Sequence, residues 1–408
     1  MRATSAGGGT RTHTSPGTQV PKTCASAIPP LRPRVLDCVY APIVPSCLRR
    51  LGTHFWLIMM ACAASTSAAQ QPAQWMVGVP PVIEVDETWL ENLQVGTARI
   101  GRCAAALVTA TGLMATSYTC ARRHVRTAWS IEHVPLDDGF YAQDLFDERH
   151  VPGLYADHLV SVHEVGAGAP ADSTWEDEEG LMIYEVRAVE DSARFLAYAY
   201  RRYGDVRVVM MPERSVATFG GDPDEGTYPR YSLGFGFLRA YDQEGHPVVT
   251  ESYLPLSGAG VTPGQTLYSV GIREQVPWIS TGTVEGYAYN GTWAPPYTTL
   301  FGLYDLHFSH GAGTPWEMPA SWLADRQHMD LSVQLSAVST VLCPGSGAPL
   351  VNKDLEVMAI AFDRVSAEDA WRCIGVTGAG IYEVLRNHYD AGMLVAELDE
   401  EGLDEYAE

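Results

Sequence analysis

The stretch "TARIGRCAAALVTATGLMATSYTC", residues 97–120, constrains the fold more than any other. Two apolar runs flank the turn "TATG", and apolar runs of strand length on either side of a turn read as a β-hairpin. Further strands are predicted in "DVRVVMMPE", "SLGFGFLRAYD", "PGQTLYSVG", "LSVQLSAVSTVL" and "LVNKDLEVMAIAFD", separated by Gly- and Pro-rich turns. A short helix is expected around Trp89 to Leu93, and "YAQDLFDERH" and "VEDSARFLAYAYRRYG" space their apolar residues as helices do. "AGIYEVLRNHYDAGMLVAEL" predicts one amphipathic C-terminal helix, with Ile381, Val384, Leu385, Tyr389 and Leu394 on one face. Many short strands with few helices point to an all-β double-barrel architecture.

Charge excludes one class of function. The 408 residues carry 49 acidic against 27 basic side chains, a net charge of -22. A nucleic-acid binder needs a Lys/Arg footprint on the phosphates, which this chain does not have to spare. The sequence offers no Gly-rich phosphate loop after a strand and no Cys/His cluster with zinc spacing, so no cofactor and no metal are expected. His307 and His310 lie three apart but have no third ligand nearby.

Residues 1–68 read as a leader. Arg49 and Arg50 precede "FWLIMMACA", which falls short of the roughly 20 apolar residues that span a bilayer, and "STSAAQ" supplies small residues for cleavage. The expectation is a signal peptide over about 47–68 and a secreted or periplasmic chain with no transmembrane span. The alternative is a lipoprotein anchored through Cys62. Past the leader, Cys103, Cys120, Cys343 and Cys373 remain. An even number in an exported chain implies two disulfides, with three possible pairings.

Three segments carry a resemblance: "GRCAAALVTATGLMATSYTC", "FGGDPDEGTYPRYSLGFGFLR" and "GSGAPLVNKDLEVMAIAFD". Together with "DGFYAQ", "ERHVPGLYADHLVSV" and "APPYTTLFGLYD", they resemble the bacterial serine dipeptidyl-peptidases of the dipeptidyl-peptidase 7 and 11 type, from about residue 75 to 397. The resemblance implies a mostly β, chymotrypsin-like double β-barrel with a few helices. It implies a first barrel over 69–272 with helical insertions and a second barrel with the C-terminal helix over 273–396; the charge run of 397–408 itself reads as an acidic, solvated tail. The large helical domain of that family is missing, since only about ten residues join "LYSVG" to "GTVEGYAYNGT".

A serine nucleophile needs an imidazole to take its proton, a carboxylate to orient that imidazole, and backbone N–H groups for the developing oxyanion. By resemblance the nucleophile is Ser346, between Gly345 and Gly347. The histidine position holds Thr119, with Tyr118 at the histidine before it. The carboxylate position holds Gly234, and one oxyanion-donor position holds Pro344, which has no N–H. Positions that bind the peptide's free amine correspond to Glu225, Gly226 and Asp363. The resemblance also implies a Cys103–Cys120 bond beside the former base and a Cys343–Cys373 bond around Ser346. His124, four residues past Cys120, is the candidate for a substitute base.

The reading is a dipeptidyl-peptidase homologue that has kept its nucleophile and lost its machinery, a pseudopeptidase binding peptides or a protein partner through an uncovered cleft, with the aromatic run Trp278 to Tyr304 as a candidate surface. The alternatives are a residual or altered serine-type aminopeptidase using Ser346, and an envelope protein tethered at Cys62.

Overall fold

The computed structural model describes residues 72–132, 137–166, 172–189, 192–224, 226–289, 292–343, 345–366 and 371–400. The expected signal segment, Cys62, Glu225, Pro344 and the tail beyond Glu400 lie outside these residues.

Strands pair into two large antiparallel sheets. The larger has eleven strands, most of them in the order Phe140–Tyr141, Asp205–Met211, Phe235–Tyr241, Leu113–Ser117, Cys103–Leu107, Thr97–Ile100, Ala156–Val165, Phe195–Tyr203, Met182–Ala188 and Thr174–Glu176. The other has eight, in the order Ala73–Met76, Val276–Thr283, Thr266–Arg273, Pro349–Val351, Val357–Ser366, Trp371–Thr377, Gln334–Ser339 and Tyr297–Thr299. The pairings leave both orders open at their ends among the described residues. The change of sheet falls between Tyr241 and Thr266, so the boundary expected at 272/273 lies inside the strand Thr266–Arg273, and Ala73–Met76 also crosses to the second sheet.

The hairpin at the centre of the larger sheet forms where the sequence places it. Every residue of Cys103–Leu107 and Leu113–Ser117 is buried. Gly112 turns the corner at φ +71, a left-handed conformation that glycine adopts without a Cβ clash. Ala106, Leu113 and Phe237 from this sheet share one apolar core with Val270, Ile279 and Ile360 from the other, so burial of apolar surface holds the two together.

Several expectations are corrected. "VEDSARFLAYAYRRYG" is a strand, Phe195–Tyr203, because Leu196, Tyr198 and Tyr200 alternate into the core while both ladder edges are filled by Ala156–Val165 and Met182–Ala188. "YAQDLFDERH" runs from the strand Phe140–Tyr141 to the short strand Arg149–His150 through a turn in which the Asp144 carboxylate accepts from the Phe146 and Asp147 N–H groups. The helix Leu300–His310 is not among the elements expected from the sequence. The C-terminal helix is two helices, Gly378–Asn387 and Gly392–Leu398, broken by His388 to Ala391 with Asp390 at φ +49. The tail is not solvated from its start: Glu397 is buried and ion-paired to Arg239 at 2.6 Å. A buried carboxylate needs such a partner. None of the helices among the described residues is long and apolar enough to cross a membrane.

Candidate functional site

Ser346 sits in a tight turn between the two sheets. Gly345 has φ +139 and Gly347 φ +83. A Cβ on Gly347 would overlap the Ala104 carbonyl and the Thr116 hydroxyl, which are themselves bonded at 2.8 Å. Glycine is therefore required after the serine. The Ser346 carbonyl accepts from Ala104 N–H at 3.2 Å, and Gly347 N–H donates to Ala361 O at 2.7 Å. These bonds pin the turn to a strand from each sheet.

Opposite the turn, the strand Leu113–Ser117 ends and the helix Tyr118–Glu132 begins. Tyr118 N–H donates to Gly234 O at 3.0 Å. Ser117, the last strand residue, aims its side chain at the turn: Ser117 Oγ lies 2.7 Å from Ser346 Oγ and also accepts from Cys120 N–H at 3.2 Å. The partner of the Ser346 hydroxyl is thus another hydroxyl. Thr119, at the expected histidine position, lies in the helix's first turn on the wall of the cleft.

Gly234 has no room for a carboxylate. A Cβ built on it would stand 2.7–3.0 Å from three atoms of Phe362, whose ring covers the position. His124 faces the other way: its Cε1 and Nε2 come within 2.9 and 3.0 Å of where a Cβ on Gly101 would be, in the turn before Cys103. Burial and the neighbouring Arg123 charge lower the pKa of His124. Among the described residues no histidine lines the cleft.

The cleft itself is about 350 Å³ and is lined by Thr119, Arg123, Pro223, Cys343, Gly345, Ser346, Phe362, Asp363 and Arg364. Asp363, expected to take a peptide's ammonium group, is buried and forms an ion pair with Arg230 at 3.1 Å. It also accepts from Arg364 N–H at 2.8 Å. Arg230 reaches on to Asp224 at 2.7 Å. Burial opposes ionisation of Asp224, but hydrogen bonds from Thr227 and Gly226, with the Arg230 charge, bring its pKa down to about 2. Gly226 serves Asp224 through its N–H at 3.0 Å. The anionic half of an amine site is present, and an internal guanidinium already compensates it.

Both expected disulfides are formed, Cys103–Cys120 and Cys343–Cys373. Cys120 Sγ lies 3.6 Å from Ser346 O, and Cys343 Sγ 3.9 Å from Asp363 O. Where the helical domain was expected to be missing, the strands Thr266–Arg273 and Val276–Thr283 join through Glu274 and Gln275 alone. Their φ values of +53 and +69 suit a tight two-residue hairpin, and Arg99 donates to Gln275 O at 3.3 Å. Among the described residues no group of three or more His, Cys, Asp or Glu is placed to hold a metal.

Sequence reasoning missed Ser117, Phe362 and Arg230. Ser117 and Phe362 stand inside the quoted segments, but a strand-end hydroxyl and a core aromatic carry no signal of their own. Arg230 lies in "TYPRY", and nothing in the sequence ties it to Asp363.

The peptidase S46 family model matches residues 68–179, 169–272 and 275–400. The Asp/Glu-specific dipeptidyl-peptidase of Porphyromonas endodontalis is 26% identical over 174 residues, which is 36% of this chain and 24% of the relative. Dipeptidyl-peptidase 7 of Phocaeicola vulgatus is 28% identical over 185 residues, 38% of this chain and 26% of the relative. The matched region spans about a quarter of the length of these relatives. The crystal structure of Porphyromonas endodontalis DPP11 in complex with substrate superposes with a TM-score of 0.67 at 10% identity, covering 75% of this chain and 94% of that one. At that identity the likeness carries the fold alone. With the family model matched along nearly all of the described residues, the chain belongs to the peptidase S46 family.

Proposed function

We propose that the chain binds peptides in its cleft without cleaving them, and that the preferred ligand carries an acidic side chain. The observation that carries the first half is the pairing of Ser346 Oγ with Ser117 Oγ at 2.7 Å. A hydroxyl is no base near neutral pH, so among the described residues nothing there activates a serine for attack on an amide. Phe362 over Gly234 supports the same reading, because it fills the space from which a carboxylate would orient an imidazole.

The second half rests on the charge around the cleft. Arg123 and Arg364 line it, while the charge of Asp363 is compensated by Arg230. A guanidinium recognises a carboxylate by charge-assisted hydrogen bonds. That the relative from Porphyromonas endodontalis is Asp/Glu-specific agrees with this preference. Export of the mature chain is part of the proposal, and two disulfides support it, since such bonds persist in oxidising compartments.

The test is calorimetric titration with a peptide containing Glu and its Gln counterpart, followed by mass spectrometry of the recovered peptide. The expected result is intact peptide, with the Glu form bound about tenfold more tightly, as one charged hydrogen bond is worth about 1.5–3 kcal/mol. Arg364→Gln is expected to remove the difference. Equal affinity for the two peptides contradicts the ligand class, and released dipeptide contradicts the non-catalytic reading.

A further inference from the structure

The two disulfides flank one cleft but differ in access. Cys103 and Cys120 are 3% and 0% exposed, and Cys373 is 0%. Cys343 is only half-buried and is the one disulfide residue lining the cleft. We propose that Cys343 Sγ is a thiol-exchange site, at which an anionic thiol entering the cleft displaces Cys373 and remains as a mixed disulfide.

The chemistry balances without an added oxidant. The incoming thiolate forms a new S–S bond to Cys343 Sγ as the Cys343–Cys373 bond breaks. Cys373 leaves as a thiolate and takes a proton from solvent. Access decides which sulfur is attacked, and here it selects Cys343. The thiolate is the reactive form, and Arg123 and Arg364 line its approach. A cleft in which one sign of charge predominates concentrates ions of the other. The carboxylate that would oppose this, Asp363, is held by Arg230.

The consequence is local to the site. Cys373 pairs with Arg364 across the ladder, while Cys343 leads into the turn of Gly345 and Ser346. Breaking the bond unties that turn from the strand Trp371–Thr377, and the adduct fills the cleft. The inference stands whether or not the cleft takes peptides.

The test uses the intact chain in native buffer with reduced glutathione or with uncharged β-mercaptoethanol, followed by acid quench and peptide mapping. The expected product is a single glutathione adduct on Cys343 with Cys103–Cys120 intact. The glutathione rate is expected to fall about threefold or more from low to high salt through screening, and by a similar factor in Arg123→Gln/Arg364→Gln. The uncharged thiol should change less than about twofold. The salt arm needs no variant, so it holds if the double variant folds poorly. No adduct, an adduct on another cysteine, both disulfides opening together at the unfolding rate, or a glutathione rate indifferent to salt overturns the proposal.

Discussion

Ser117 Oγ and Ser346 Oγ lie 2.7 Å apart, joining the end of a strand in one sheet to a turn against the other. In a peptidase the serine hydroxyl hands its proton to a base. Here it completes a structural bond, since Ser117 also caps the Cys120 N–H. Ser117→Ala strands that buried N–H and is expected to cost about 1–3 kcal/mol, against about 1 kcal/mol for Ser346→Ala. The two should couple by about 0.5 kcal/mol or more in a double-mutant cycle read by denaturant unfolding. Additive losses would mean that the hydroxyls do not bond in solution.

Placing a histidine at Thr119 or an aspartate at Gly234 is not expected to produce peptidase activity. Thr119→His alone gives an imidazole with nothing to orient it. Gly234→Asp must push against Phe362 and is expected to destabilise by about 1–3 kcal/mol through overpacking. Phe362→Ala in the Gly234→Asp background should cost less than in the parent, where it only opens a cavity. Thermal unfolding of the four proteins measures this coupling.

A free N-terminus should not matter to the ligand. Asp363 already has a cation at 3.1 Å in Arg230. Acetylating an acidic peptide at its N-terminus is therefore expected to change its Kd by less than about twofold. A free ammonium ion pair displacing Arg230 would be worth about 1.5 kcal/mol or more, a tenfold or greater loss on acetylation.

Glu397 ties the C-terminal helix to Arg239 and gives stability a defined dependence on pH. Burial alone would raise its pKa, but the Arg239 guanidinium and the Thr111 and Thr109 hydroxyls outweigh burial and hold it below the usual carboxylate value. A lowered folded-state pKa contributes stability above the unfolded value, near pH 4.3, which is lost as pH falls through the folded one. Arg239 keeps Glu148 at 2.9 Å in the variant, so Glu397→Gln is expected to cost about 1–3 kcal/mol at neutral pH. The gap to wild type should narrow below about pH 4.3. A gap that widens on acidification contradicts the ion pair.

What was legible in the sequence was local. The hairpin over 97–117 announced itself by two apolar runs and a Gly turn, and "GSG" marked the turn around Ser346. The aromatics of the strand Phe195–Tyr203 satisfy helical spacing as well as alternation, and only its two ladder neighbours settle the matter. The same holds for the site. The expectation at Thr119 and Gly234 comes from the segments themselves, whereas Ser117 on Ser346, Phe362 over Gly234 and Arg230 on Asp363 join residues far apart in the chain. Long-range pairing also hid the role of Glu397, whose acidic neighbours looked like a solvated tail.

The central claim is that, among the described residues, no base stands beside Ser346, whose hydroxyl meets only that of Ser117. Labelling the folded protein with a fluorophosphonate, with Ser346→Ala as the control, tests it most directly. The account predicts no adduct on Ser346 above that control. Stoichiometric labelling of wild type that vanishes in Ser346→Ala would contradict it.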